Sequence, residues 1–69
     1  MMKYEYLLIK KNKEGLVYEK TFFYKSTDAR KDFKKNDILL KCKYKSIFYG
    51  GNFDGWSVNE EDVVKRYEK

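Results

Sequence analysis

The chain has 69 residues, a net charge of +5 and 19% aromatic residues, enough for one domain spanning 1–69 whose small core must be built from large side chains. A single cysteine, Cys42, rules out an intramolecular disulfide framework and leads us to expect a cytoplasmic protein. The opening residues carry no apolar run of signal-peptide length, and no segment approaches the roughly 20 apolar residues of a membrane span.

In chain order, Tyr4 to Lys11 and Leu16 to Lys25 read as two β-rich runs joined by Asn12-Lys13-Glu14-Gly15. Gly15 suits the left-handed residue that ends a type I turn with a bulge, so a hairpin is expected. Pairing Asn12 with Leu16 sets Tyr6 opposite Phe22, Tyr4 opposite Tyr24 and Leu8 opposite Lys20, gathering an aromatic face on the even positions. Leu7, Ile9, Val17 and Phe23 fall on the other face, which is too apolar to be left in water.

Ser26-Thr27-Asp28 reads as a helix N-cap with an acidic first turn, and Ala29 and Phe33 give that helix one buried stripe ending at Asn36-Asp37. Ile38 to Tyr49 reads as a long third strand. Ile38, Leu40, Cys42 and Tyr44 alternate with Lys41, Lys43 and Lys45, and the period shifts at Ser46, where a bulge or bend is expected. The glycine-rich stretch Gly50 to Gly55 marks a second hairpin returning through Trp56-Ser57-Val58, the least marked of the four strands. The final segment reads as a helix, with Glu60-Glu61-Asp62 at its positive end, Lys65, Arg66 and Lys69 at its negative end, and Val63, Val64 and Tyr67 as packing residues. The fold class expected is therefore α+β, with a mostly antiparallel sheet in the order β-β-α-β-β-α.

The run Phe22-Phe23-Tyr24-Lys25-Ser26-Thr27-Asp28-Ala29-Arg30-Lys31-Asp32-Phe33 resembles the strand-to-helix step of the arm-type DNA-binding domains of tyrosine recombinases. The long lysine-bearing third strand departs from that pattern, and no function is carried over from it.

Catalysis is disfavoured because the chain has no His, the usual general base and nucleophile activator near neutral pH. Cys42, in an alternating strand beside Leu40 and Tyr44, reads as a buried small hydrophobe. Glu60-Glu61-Asp62 reads as helix-start chemistry, and Asn52-Phe53-Asp54-Gly55 lacks the ligand spacing of a calcium loop. No cofactor or metal is expected.

What remains is binding. Lys41, Lys43 and Lys45 on one strand face would project ammonium groups at about 7 Å intervals, a spacing that suits a nucleic-acid backbone, with Lys10, Lys11 and Lys20 as contributors. Fourteen of the sixteen basic residues are lysine, so backbone attraction is expected over base-edge reading. The competing explanation is a solvated face or a lysine-guarded sheet edge, and the scarcity of Ala and Pro points to a codon bias that would itself enrich Lys and aromatics. The alternative function is a protein-binding accessory or inhibitor of the kind a phage or mobile element encodes. It would act through Tyr49, Phe53 and Trp56 on the glycine-rich loop, or through a sheet edge. A homodimer through a strand edge is compatible with both.

Overall fold

The computed structural model describes residues 3–50 and 55–69. Its elements are β1 (Tyr4–Lys11), β2 (Val17–Phe23), α1 (Ser26–Asp32), β3 (Ile38–Lys43), β4 (Ile47–Tyr49), β5 (Trp56–Val58) and, after a 3-10 turn at Glu60–Asp62, β6 (Val63–Glu68). The fold is a small antiparallel α+β arrangement. β2, β1, β3 and β6 form one sheet in that order, and β4 pairs with β5 as a separate ribbon.

Alternation along β1 sends its side chains to two faces, and both faces are covered. On one face Leu8 and Leu39, directly opposite each other, are fully buried against Ala29 and Phe33 of the α1 segment, with Tyr6, Phe23 and Tyr67 around them. On the other, Glu5, Leu7 and Cys42 are buried on the side where the β4–β5 ribbon approaches. Trp56 of β5 stacks on Phe22 of β2 with ring centroids 5.1 Å apart, and the Ile47 N–H reaches the Glu5 carboxylate at 3.5 Å.

The first hairpin closes as its sequence predicts. The Asn12 N–H donates to the Leu16 carbonyl and the Gly15 N–H to the Asn12 carbonyl, both at 3.0 Å, and Gly15 has φ 86°. Asn12 Oδ1 accepts from the Glu14 and Leu16 N–H groups as well, so one side chain organises the whole turn.

The register beyond that turn corrects the expectation. Lys10 pairs with Glu19 and Lys11 with Val17, which leaves Tyr18 as an extra residue in a bulge. Tyr6 therefore faces Phe23 and Leu8 faces Thr21, not Phe22 and Lys20. The unslipped register would aim the Lys20 ammonium at the helix-covered core, a placement costing several kcal/mol without a partner. The bulge puts Thr21 there and turns Phe22 toward the ribbon.

The helix begins at Ser26, so the cap position falls one residue before the expected one. Lys25 occupies the N-cap position without a side-chain cap, and Asp28 lies in the first turn. Beyond the helix, Asn36 takes φ 79° and turns the chain into β3. The expected long strand from Ile38 to Tyr49 is broken at Tyr44-Lys45, where Lys45 adopts φ 63° and the Ser46 N–H bonds the Lys43 carbonyl. The second hairpin is present as β4 and β5, closed by a 2.7 Å bond from the Gly50 N–H to the Gly55 carbonyl. Phe53 and its neighbours in the loop lie outside the described residues.

The final helix is the largest correction. Only Glu60–Asp62 turn helically, as a single 3-10 turn, and Val63–Glu68 extend as β6 against β3. Two adjacent β-branched valines favour that choice, and the unpaired edge of β3 offers ladder hydrogen bonds that an isolated short helix cannot match. Pairing sets Tyr67 opposite Leu39 and Lys65 opposite Lys41, with a register shift that leaves Val64 as the extra residue.

Candidate nucleic-acid interface

The helix covers only part of its sheet face. In one row across the sheet, Leu8, Leu39 and Tyr67 lie side by side against it. The next row runs Phe23, Tyr6, Lys41 and Lys65, and the one beyond it pairs Tyr4 with Lys43. These two rows share the helix-side face and form a strip that mixes aromatic rings with cations.

Rings hold the cations in place. The Lys41 ammonium lies 4.1 Å from the Tyr4 ring centroid, that of Lys65 lies 5.4 Å from Tyr67, and the Arg30 guanidinium reaches the same Tyr67 ring at 5.0 Å. Such contacts contribute about 0.5–1 kcal/mol at exposed sites. Lys43 has a loose partner in Asp62 at 3.9 Å. Among the described residues no carboxylate pairs with Lys41 or Lys65.

Lys41 and Lys65 are directly opposed across β3 and β6. Opposed like charges in a sheet sit roughly 5 Å apart at Cβ and are destabilising by some tenths of a kcal/mol. The two ammonium groups turn to different rings, Lys41 to Tyr4 and Lys65 to Tyr67, so the opposed backbone positions carry two cations that are turned apart.

Of the lysines singled out in the sequence, Lys41 and Lys43 belong to this strip. Lys45 does not extend the strand; it sits in the adjacent turn, with its ammonium 5.7 Å from the Tyr44 ring. Lys20 faces Ile9 on the opposite face of the sheet. Lys10 lies at the far end of β1, where its ammonium bonds the Asp37 carboxylate at 2.9 Å and the Asp32 carbonyl at 2.7 Å. The Lys11 N–H also bonds Asp37, at 3.3 Å. Lys10 and Lys11 thus anchor the end of the helix and lie apart from the strip.

The Lys10–Asp37 pair is strongly held. Burial opposes the charge on Asp37, but hydrogen bonds from the Lys34 N–H, Lys10 and the Lys11 N–H, with the Lys10 charge, hold its pKa below the usual carboxylate value. Burial likewise opposes the charge on Lys10, and the Asp37 hydrogen bond and charge outweigh it to raise the Lys10 pKa.

Lys65, Tyr4, Tyr6 and Phe23 join the strip without having been assigned to it from the sequence, and Tyr67 and Arg30 border it. The alternation Val63, Lys65, Tyr67 carries that information once residues 63–68 are taken as a strand. Of the loop aromatics, Tyr49 is 62% exposed, whereas Trp56 is tucked between Tyr49 and Phe22, 5.1 Å from each ring. Cys42 is fully buried, and burial, then the nearby Glu5 and Asp62 charges, push its thiol up to about 11. Among the described residues no group of three Cys, Asp or Glu side chains could hold a metal ion, and no helix is long and apolar enough to cross a membrane.

Comparison with protein-family models, curated proteins and solved structures gives no match.

Proposed function

We propose that this protein is a non-enzymatic binding module that holds nucleic acid by its phosphate backbone, on the strip formed by Lys41, Lys43 and Lys65. The observation that carries this reading is the direct opposition of Lys41 and Lys65, with no carboxylate among the described residues paired to either. A phosphate lying over the pair can draw both ammonium groups from their rings into charge-assisted contacts. The tyrosines alongside offer flat partners for bases, the combination that backbone-tracking grooves use. Scarce arginine agrees with weak sequence selectivity.

Three contributing lysines imply a salt slope of about −2 for single strands, so affinity should fall roughly twentyfold between 50 and 200 mM salt. The test is fluorescence anisotropy with mixed-sequence DNA and RNA, using the parent and a Lys41→Gln/Lys43→Gln/Lys65→Gln variant of unchanged melting temperature. The variant should bind at least tenfold more weakly. Equal binding by the two proteins, or an affinity indifferent to salt, refutes the reading.

A second reading, a protein partner, is favoured by Phe48 and Tyr49, which are 46% and 62% exposed on consecutive residues of β4. Exposed aromatics on an ordered ribbon suit a protein interface. That reading requires a stoichiometric complex that tolerates moderate salt and is lost in a Phe48→Ser/Tyr49→Ser variant that keeps its fold.

A further inference from the structure

The four-stranded sheet ends at β2 on one side and at β6 on the other. The α1 segment and the β4–β5 ribbon pack mainly over β1 and β2, which leaves the outer edge of β6 uncovered among the described residues. An open edge carries unpaired N–H and C=O groups and is a template for another strand. Arg66 and Glu68, which share the ribbon-side face of β6 with Leu40 of β3, are bonded through the Arg66 Nε at 2.6 Å and are 57% and 60% exposed. Among the described residues the two terminal nitrogens of Arg66 have no partner. Arginine presents five N–H donors, so its outer fork is left for a second carboxylate.

A second copy of the chain supplies that carboxylate. Two copies paired antiparallel at one edge are related by a two-fold axis normal to the sheet, which maps each face onto itself. Directly opposed residues must therefore share a face, and the axis must pass through a residue position. Centring on Lys65, Arg66 or Glu68 opposes a charge to its own copy, while Val63 and Val64 sit at the bulge beside the 3-10 turn. Tyr67 remains. Centred there, Arg66 of each copy lies opposite Glu68 of the other, and four charges close into a ring in which every neighbour has the opposite sign. Lys65 then opposes Lys69, but the Lys65 ammonium lies over the Tyr67 ring and that of Lys69 bonds the Phe33 carbonyl at 3.1 Å, so both are drawn over their own chain. The β2 edge has no equivalent: centring on Glu19 or Lys20 opposes like charges, and centring on Thr21 sets Lys20 against Phe22. We propose that the protein forms a homodimer through β6, with the two strands antiparallel and centred on Tyr67. The dimer continues one four-stranded sheet into the other and sets both lysine strips on one face. It needs no nucleic acid and stands apart from the backbone-binding reading.

The test is sedimentation equilibrium of the whole chain without nucleic acid, over about 10–500 µM at low salt because a short edge contact is weak and screened. Circular dichroism checks that each chain is folded. The parent should show a concentration-dependent monomer–dimer equilibrium that weakens as salt rises. Arg66→Glu and Glu68→Arg each turn both cross-edge attractions into repulsions and should dimerise about tenfold or more weakly. Mixed in equal amounts, the two variants restore opposite charges across the edge but within neither chain, and they should form a heterodimer. Arg66→Gln/Glu68→Gln introduces no like-charge contact, should dimerise about threefold or more weakly than the parent, and decides the matter where a charge-reversed chain fails to fold. A parent that stays monomeric, single variants that dimerise as the parent does, a mixture of folded variants that stays monomeric, or parental affinity in the Gln variant overturns the proposal.

Discussion

Replacing Asp37 with Asn should be among the most damaging single changes to the stability of this fold. The Asp37 carboxylate is 2% exposed and accepts hydrogen bonds from Lys10 at 2.9 Å, the Lys34 N–H at 3.0 Å and the Lys11 N–H at 3.3 Å. It thus ties the end of α1, the turn into β3 and the end of β1 to one another. Asn keeps the shape but removes the charge, and it aims one amide N–H group at a donor. A fully buried ion pair loses about 3–5 kcal/mol when one partner goes. Here Lys10 keeps the Asp32 carbonyl and is 16% exposed, so water relieves part of the loss. About 2–3 kcal/mol is expected, which at roughly 4–8 °C per kcal/mol for a domain of this size lowers the melting temperature by about 8–24 °C.

Circular dichroism during thermal and urea unfolding measures this, and a Lys10→Met/Asp37→Asn cycle isolates the coupling. The pH dependence supplies a second readout. Because the folded Asp37 pKa lies below its unfolded value, its contribution is present above about pH 4 and is lost as pH falls through the folded value. Lys10, with a raised pKa, contributes below about pH 10 and loses that contribution as pH rises through its folded value. The stability gap between parent and Asp37→Asn should therefore narrow in acid. A penalty under about 0.5 kcal/mol at neutral pH, or a gap that widens on acidification, refutes the reasoning.

Leu39→Ala removes a fully buried side chain from beneath the helix and should cost about 2–5 kcal/mol in urea unfolding. Gly15→Ala meets no atom within 4 Å of its new Cβ, so its cost, about 1 kcal/mol, should come from the φ of 86° alone. The Cys42 thiol, buried and shifted up to about 11, should react with a disulfide reagent at pH 8 only as fast as the protein opens, and at full rate in denaturant.

The strands that carry local codes could be read directly from the chain. Residues 4–25 show aromatic and β-branched runs around an Asn-Lys-Glu-Gly turn, and Ala29 with Phe33 marks the buried stripe of the helix. Residues 60–69 carry two codes at once. Their acids precede their bases as a helix dipole favours, while Val63, Lys65 and Tyr67 alternate as a strand requires. The free edge of β3, which no local window contains, decided between them. The same misreading hid the place of Lys65 in the strip, because Lys65 becomes a neighbour of Lys41 only through that pairing. Lys10 was legible as a cation, but its bond to Asp37, 27 positions away, was not.

The bulge at Tyr18 makes the first hairpin a counting device. The identities of residues 13–18 contribute little to the core, but their number sets the phase of everything from Glu19 to Phe23. Inserting one residue in this stretch, without a second bulge to compensate, would exchange the faces of that segment and bring Lys20 beneath the helix in place of Thr21, and deleting one would bring Phe22 there. Two inserted residues would lengthen the loop and leave the phase intact. Length changes here are thus tolerated by parity, a constraint felt under α1, far from the loop where the change is made.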